Sequence, residues 1–346
     1  MRLPILRWSL RSVLTLFIVH CSLFVAQAQQ QAQYSQYMFN TYLYNPAAAG
    51  IEDYFEVKGS YRQLYQGVPG SNNTFYLTAH KAINQKSLNK EDLGALPMRG
   101  ASTIRFKTDV PRKIRHGVGG TLTYDRVGLY TRTVPTLGYA IHLPVGKRIY
   151  WAFGANVGAN LLRFDMDNVE NVRDAGDAAF GQRAATPELG LGTFVYTDVW
   201  YVGLSTGQLT QSKLKFSDAT NTAYNKLNTH YYLTGAYRIA LDDEFDIIPS
   251  ALFKYAKPTM ALDAGVKVRY RQNFWAGAQV RVADARSKFT TDGFIGLVGF
   301  NVGRILDIGY SYDFTTSNLN AGSNGSHEIL LGLRLMNAKN AAPKIW

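Results

Sequence analysis

The stretch ILDIGYSYDF, residues 305–314, alternates apolar and polar side chains over its whole length. In an extended chain one face carries Leu306, Ile308, Tyr310, Tyr312 and Phe314, and the opposite face carries Asp307, Ser311 and Asp313. A period of two residues is the signature of a β-strand. The run is also about twice as long as an average strand of roughly five or six residues. A tilted strand of roughly 9–11 residues can cross a bilayer, so the stretch predicts a membrane-spanning strand.

The same alternation recurs in YFEVKGSYR (54–62), LDAGVKVRYR (262–271) and EILLGLRL (328–335). It predicts fourteen strands in all, at 54–63, 73–82, 114–125, 132–143, 147–163, 186–197, 199–208, 228–240, 245–256, 259–270, 273–284, 292–301, 304–314 and 327–336. An even number is typical of bacterial outer-membrane barrels. Pro135 and Pro249 fall inside predicted strands. Proline belongs at an edge or a bulge, so these residues either weaken the predicted boundaries or mark bulges.

The connections predict which end of such a barrel faces outward. If the chain starts in the periplasm, the outward connections are 64–72, 126–131, 164–185, 209–227, 257–258, 285–291 and 315–326, and the inward ones are 83–113, 144–146, 198, 241–244, 271–272 and 302–303. The inward set is short apart from 83–113, which is long and basic. Short periplasmic turns and longer outer loops are the usual asymmetry of these proteins. The predicted fold class is therefore all-β, a transmembrane antiparallel β-barrel of about fourteen strands.

A secreted β-sandwich would also show alternating strands. Its apolar face would form a core and carry large aliphatic residues, whereas here that face is rich in tyrosine, phenylalanine, glycine and alanine. Aromatic residues also crowd the strand ends, as at Tyr150, Trp151, Trp200, Tyr201 and Trp275. Aromatic girdles lie at the two interfaces of a membrane. The pattern therefore favours the barrel over the sandwich.

The N-terminus has the pattern of a signal peptide. Arg2, Arg7 and Arg11 precede an apolar run at 13–25 and an A-x-A site at 26–28, which predicts cleavage after Ala28. A membrane anchor is the alternative, but the run is shorter than the roughly 18–20 residues that a spanning helix needs. The predicted regions are a signal peptide (1–28), an N-terminal periplasmic or luminal segment (29–53), the barrel (54–336) and a C-terminal tail (337–346).

The single cysteine and the net charge exclude several classes of protein. Cys21 lies in the leader and follows His20, where a lipoprotein signal has a small residue, so acylation is disfavoured. The mature chain then has no cysteine, which excludes disulfides and thiolate chemistry. The formal charge is +12, and the leader contributes three arginines and no acid, which leaves the mature chain near +9. The chain has no long basic block and is predicted to be exported, so nucleic acid is not an expected partner.

Several stretches resemble one known family. The opening one is Tyr34, Ser35, Gln36, Tyr37, Met38, Phe39 and Asn40, followed by Tyr44, Asn45, Pro46, Ala47 and Gly50. Others are SYRQLY (60–65), YAIHLPVGK (139–147), YVGLSTGQLTQ (201–211) and IGYSYDFTTSNLN (308–320) followed by GSHEI (325–329). With these the chain resembles the PorP/SprF family of outer-membrane proteins, which is linked to type IX secretion and gliding in Bacteroidota. It departs from the family pattern in the length of 83–113 and in Trp346, which lies beyond the last predicted strand.

The resemblance implies an accessory protein of the bacterial outer membrane, with no catalysis and no cofactor. Such proteins are thought to hold secreted adhesins or other surface proteins at that membrane, or to connect the periplasmic secretion motor to it. The loops 164–185 and 209–227 are then the candidates for a secreted partner, and 83–113 and 33–50 are the candidates for periplasmic contacts. The predicted partner-binding residues are Tyr34, Gln36, Tyr37, Met38, Phe39, Asn40, Asn45 and Pro46.

The position of 33–50 is left open between two alternatives. The segment would lie on the periplasmic side or reach into the lumen, and its aromatic residues would pack against the barrel wall or a partner. The simpler alternative is a strap that only closes the barrel floor.

No catalytic or metal site is predicted. The five histidines of the mature chain lie in five different runs without the paired spacing of a zinc site. Ser326 and His327 are adjacent, but a triad needs residues that the fold brings together. The run DMDNVEN (165–171) lacks the ligands of a calcium loop, and GVGG (117–120) and GLGTF (190–194) are not phosphate loops because no helix follows them.

The charged face allows two interpretations of the lumen. Its cations are Lys58, Arg62, Lys254, Lys267, Arg269, Arg271, Arg281 and Arg334, and its acids are Glu56, Asp246, Asp263, Asp307, Asp313 and Glu328. The cations could line an anion-selective pore, which would make the protein a general diffusion porin with a basic lumen. Alternatively, they pair with the acids in a packed interior, and this interpretation is favoured. For the function of the whole protein, a barrel that serves adhesion is the third alternative, after the anchor and the porin.

Overall fold

The computed structural model describes residues 33–52, 54–67, 72–83, 114–128, 130–146, 149–164, 183–211, 227–271, 273–285, 288–302, 305–316 and 323–335. The predicted signal peptide, the C-terminal tail and most of the connections 83–113, 164–185 and 209–227 lie outside these residues. Within the described part of the chain, no helix is long and apolar enough to cross a membrane.

Three short 3-10 helices precede a single large sheet. The helices are Tyr37–Phe39, Thr41–Leu43 and Pro46–Ala48. The strands are β1 (Phe55–Gln63), β2 (Asn73–Ile83), β3 (Arg115–Val127), β4 (Tyr130–Pro144), β5 (Tyr150–Phe164), β6 (Arg183–Tyr196), β7 (Trp200–Gly207), β8 (His230–Tyr237), β9 (Ile239–Ala240), β10 (Phe245–Ala256), β11 (Thr259–Tyr270), β12 (Phe274–Ala285), β13 (Lys288–Val302), β14 (Leu306–Thr315) and β15 (Ser326–Leu335).

The sheet is antiparallel and closes on itself. Strands that are adjacent in sequence pair with each other, and β1 pairs with β15 from Phe55↔Leu335 to Gln63↔His327. The two-residue β9 continues β8, because both pair with β10 in the same register. The closed sheet is therefore a barrel of fourteen strands, which confirms the predicted fold class. The predicted strand boundaries differ from the observed ones by a few residues.

The two faces of the sheet are separated by polarity, as the alternation predicts. Outward side chains such as Leu137, Val157 and Phe314 are 72%, 58% and 59% exposed, while inward ones such as Asp263 and Asp313 are buried. In β14 the burial alternates residue by residue, with the apolar set outside. An apolar exterior around a polar, enclosed interior is the arrangement of a barrel in lipid.

The two prolines do not mark bulges, so that expectation is wrong. Pro135 pairs with Leu122 of β3, and the ladder with β5 lacks pairs beside it but resumes in the same register. Pro249 pairs with Val266 of β11. On its other edge, the ladder of β10 with β8 and β9 lacks the pairs between Ser250↔Ala236 and Ile247↔Ile239. Each proline thus interrupts one ladder while the opposite ladder continues. A register shift occurs instead in β12, after Arg281.

The number of strands sets the width of the interior. Fourteen strands spaced about 4.8 Å apart and tilted by about 40° close into a backbone cylinder roughly 28 Å across. Inward side chains fill a barrel of about eight strands, but not one of this width. A lumen of this size is either an aqueous channel or is occupied by another part of the chain.

Candidate functional site: a strap inside the barrel

Residues 33–52 occupy the interior of the barrel, and we call this segment the luminal strap. Tyr37, Met38 and Phe39 of its first 3-10 helix are buried, and so are Ala47 and Ala49 near its end. The third helix has a local cause. The Asn45 side chain caps it by accepting a hydrogen bond from the Ala47 N–H at 3.0 Å, and proline at 46 suits a first helical position.

Wall side chains hold the first residues of the strap. The Ser35 N–H donates to Glu328 Oε2 at 2.6 Å, and the Ser35 hydroxyl donates to Asp313 at 2.7 and 2.8 Å. Gln279 Nε2 donates to the Ser35 carbonyl at 2.7 Å, and Arg62 donates to the carbonyl of residue 33. Buried backbone N–H and C=O groups need hydrogen-bond partners. Residues 33 and 35 are not in a helix or a strand, so side chains of the barrel wall provide these partners.

The same carboxylates pair with buried cations. Arg62 Nη2 lies 2.6 Å from Asp313 Oδ2, and Arg281 bridges Asp313 at 3.4 Å and Asp263 at 2.7 Å. Lys254 Nζ lies 2.7 Å from the other oxygen of Asp263. These contacts agree with the interpretation that the luminal charges are paired rather than lining a pore.

One predicted luminal cation is not in the lumen. Arg271 is exposed just beyond the end of β11, where it pairs with the exposed Glu244. It follows Tyr270, the last residue of the strand, so the alternation that placed it inside no longer applies.

The middle of the strap contacts the opposite wall. Tyr37 Oη lies 3.2 Å from Ser250 Oγ and donates to the Asp263 carbonyl at 3.3 Å. The ring of Phe39 packs on Trp275, with 4.0 Å between their centroids.

The last residues of the strap are held by strands β3 to β7. Asn45 Nδ2 donates to the Thr193 carbonyl at 3.0 Å. His142 Nε2 donates to the Ala49 carbonyl at 2.7 Å, and Arg115 donates to the Ile51 carbonyl at 2.8 Å. The strap is therefore fixed along its whole length by the barrel wall.

Inward-facing glycines make room for this half of the strap. A Cβ at any of them would overlap strap atoms: Gly117 against Ala49, Gly119 and Gly138 against Tyr42, Gly154 against Pro46 and Ala47, and Gly192 against Asn45. Gly119 pairs with Gly138 and Gly154 pairs with Gly192, so the glycines lie side by side on adjacent strands. The sequence signal was present in GVGG and GLGTF, whose alternating glycines face inward.

A small cavity lies at the end of the barrel where the strap begins. It has a volume of about 20 Å³ and is lined by Gln33, Arg62, Leu64, Tyr65, Arg281, Asp292, Gly293, Ile295, Asp313, Phe314, Thr315 and Ser326. A space of this size holds about one water molecule. It offers no room for a solute, so the strap and its partners fill this part of the lumen.

Comparison with known proteins assigns the chain to a family. The family model described as type IX secretion system membrane protein PorP/SprF matches residues 26–333, nearly the whole chain. The chain belongs to the PorP/SprF family. No curated protein matches its sequence.

Solved structures that resemble this PorP/SprF protein include a transporter, a channel and a FadL homologue, all of low sequence identity. The Ralstonia pickettii toluene transporter TbuX is 9% identical, with a TM-score of 0.44 over 84% of this chain and 92% of that one. The CymD monoaromatic hydrocarbon channel is 11% identical, with a TM-score of 0.47 over 87% and 94%. A Pseudomonas aeruginosa FadL homologue is 10% identical, with a TM-score of 0.44 over 84% and 91%. These values assign none of their properties to the PorP/SprF chain.

The predicted partner-binding residues of this PorP/SprF protein all lie in the strap. The structure places Tyr34, Gln36, Tyr37, Met38, Phe39, Asn40, Asn45 and Pro46 inside the barrel, buried against its wall. Their binding to a partner stays a prediction. Ser35 was not among them, although its N–H, hydroxyl and carbonyl all form hydrogen bonds with wall side chains. Its position within the family motif is the signal that could have identified it.

Proposed function

We propose that this protein is a non-enzymatic anchor in the outer membrane, which holds an exported surface protein of the type IX secretion or gliding machinery. Membership of the PorP/SprF family supports the link to this machinery. The apolar exterior of the closed barrel supports the location, because barrels of the outer membrane present an outward apolar band to lipid.

The presence of the strap in the lumen is the observation that carries the proposal. A diffusion porin requires a continuous aqueous path, and a barrel of fourteen strands could provide one. Here the strap crosses that space, and the charges of the wall are bound to one another and to strap atoms. A barrel closed in this way uses its surfaces rather than its interior, which fits docking better than diffusion.

The connections between strands are the surfaces that would dock a partner. The outer connections 164–185 and 209–227 are proposed to hold the exported protein, and 83–113 is proposed to face periplasmic components of the secretion motor. The strap residues named above remain candidates for partner contacts. Tyr34 and Gln36 lie towards the outer end, where Glu328 holds the strap, and Asn45 and Pro46 lie towards the periplasmic side, where its last turn approaches the barrel end.

Affinity purification from cells with an intact secretion system tests the anchor. We expect a surface protein whose recovery disappears in a strain without the type IX translocon. Replacing 212–226 by a short glycine-serine linker is expected to abolish recovery, whereas the same replacement of the turn 241–244 on the opposite end serves as the matched control and keeps it.

Planar-bilayer recording tests the porin alternative. The purified wild-type protein is expected to remain closed. A steady, large, anion-selective current from the intact protein would overturn the anchor in favour of a porin.

A further inference from the structure

The two ends of the barrel differ in the length of their connections. One end carries the short turns 145–149, 197–199, 241–244, 271–273 and 303–305 and one long connection, 84–114, together with the start of β1 and the end of β15. The opposite end carries the longer connections that follow β5, β7 and β14. Because short turns face the periplasm in bacterial barrels, the first end is the inner end and the second is the outer end.

The strap ends at the inner end. The Ala49 carbonyl accepts a hydrogen bond from His142, two residues before β4 ends at Pro144, and Arg115, the first residue of β3, donates to the carbonyls of Gly50 and Ile51. The chain then continues into β1, whose first residue, Phe55, lies at the same end.

The strap begins at the outer end. Arg62, which donates to the carbonyl of Gln33, is the second-last residue of β1. Asp313 and Glu328, which hold Ser35, lie within three residues of the outer ends of β14 and β15. From Phe55 to Arg62 a strand advances about 23 Å along its axis at roughly 3.3 Å per residue, so the strap covers most of the barrel's height.

We propose that the N-terminal segment threads through the whole barrel, so that the processed N-terminus leaves by the outer mouth and is presented at the cell surface. Gln33 is half-buried and lines the small outer cavity with Leu64 and Tyr65, residues of the first outer connection. Residues 34–40 below it are buried. Four residues separate Gln33 from the predicted cleavage site, and they extend at most about 14 Å, which is shorter than the roughly 23 Å back to the inner end. The N-terminus then forms part of the surface that an external partner meets. The proposal depends on the orientation of the barrel and not on the anchoring role.

Cysteine labelling in intact cells tests this topology, because the mature chain contains no other cysteine once the leader is removed. The probe is a membrane-impermeant maleimide, applied to full-length Gln30→Cys before and after the outer membrane is permeabilised. Gln66→Cys in the first outer connection and Asp243→Cys in an inner turn are the matched controls, and both native side chains are exposed.

We expect Q30C to be labelled in intact cells to the same extent as Q66C, and D243C to be labelled only after permeabilisation. Labelling of Q30C only after permeabilisation, or in neither condition, would overturn the proposal, as would labelling of D243C in intact cells. Folding of each variant is checked by its heat-modifiable mobility in gels. If Q30C does not fold, an epitope inserted after Ala28 gives the same readout through antibody binding to intact cells.

Discussion

Asp313 is the carboxylate on which the outer half of the strap depends. Its oxygens accept hydrogen bonds from the Ser35 hydroxyl at 2.7 and 2.8 Å, and it pairs with Arg62 at 2.6 Å and with Arg281 at 3.4 Å. Asp313→Asn keeps the size of the side chain and one acceptor but removes the charge. Arg281 keeps Asp263 at 2.7 Å, whereas the carboxylate that remains near Arg62 is Glu328 at 3.8 Å.

Breaking one side of a buried ion pair costs about 3–5 kcal/mol, because the other charge stays buried without its partner. The lower limit, about 3 kcal/mol, applies here since Arg62 retains a distant carboxylate. Release of the strap would let water reach Arg62, so this cost shifts the equilibrium towards the released strap. A difference of this size corresponds to about a hundredfold in the population of released strap.

Thiol labelling of a buried strap position measures that population. Met38 is buried in the strap, and in a Met38→Cys background its labelling rate reports how often the strap opens. We expect D313N to accelerate labelling of M38C about a hundredfold. The matched control is Asp307→Asn, which breaks the buried Asp307–Arg334 pair at the inner end of the same strand and is expected to leave the rate nearly unchanged.

Two results would contradict this reasoning. If D313N labels at the wild-type rate, the charge of Asp313 does not hold the strap. If D307N accelerates labelling equally, the effect is a general loosening of the barrel and not a local release.

Three further predictions concern the strap and the lipid face. Gly154→Leu is expected to displace the strap, because a side chain there overlaps Pro46 and Ala47. The displaced strap should open a pore in bilayer recordings. The matched control Gly296→Leu should leave the barrel closed, because a Cβ at Gly296 meets nothing within 4 Å. Tyr37→Phe removes the contacts with Ser250 and Asp263 and should lower the unfolding free energy in urea by about 1 kcal/mol, with no pore opening. Val266→Arg places a charge on the outward face in the middle of β11 and should lower the free energy of unfolding in vesicles by about 2–4 kcal/mol. The matched control Val302→Arg, at the end of β13, should lower it by about 0–1 kcal/mol. Equal losses for the two variants would contradict the assignment of that face to lipid.

The strands could be predicted because their signal is local. In 305–314 and 262–271 each side chain's polarity depends only on which face it occupies, and that face alternates with every residue. The structure accordingly places Asp263 and Asp313 inside and Val266 and Phe314 outside. The signal ends where the strand ends, which is why Arg271 was assigned to the wrong environment.

The position of the strap could not be predicted in the same way. Its aromatic residues suit a barrel wall, a barrel floor or a partner equally well, and nothing in their order distinguishes these surroundings. The prolines show the same limit, since whether Pro249 forms a bulge depends on how both neighbouring strands pair with it.

The sequence by itself determined the number of strands, the two faces of each strand and therefore a barrel with a polar interior, because period-two alternation is a property of neighbouring residues. Only the tertiary structure decided that the strap lies in this interior and which residues hold it there. Arg62 meets Asp313 across 251 positions of sequence, and Ser35 meets Glu328 across 293. Such pairs form only when the sheet closes and brings β1 beside β15 around the strap, and closure is a property of the whole chain.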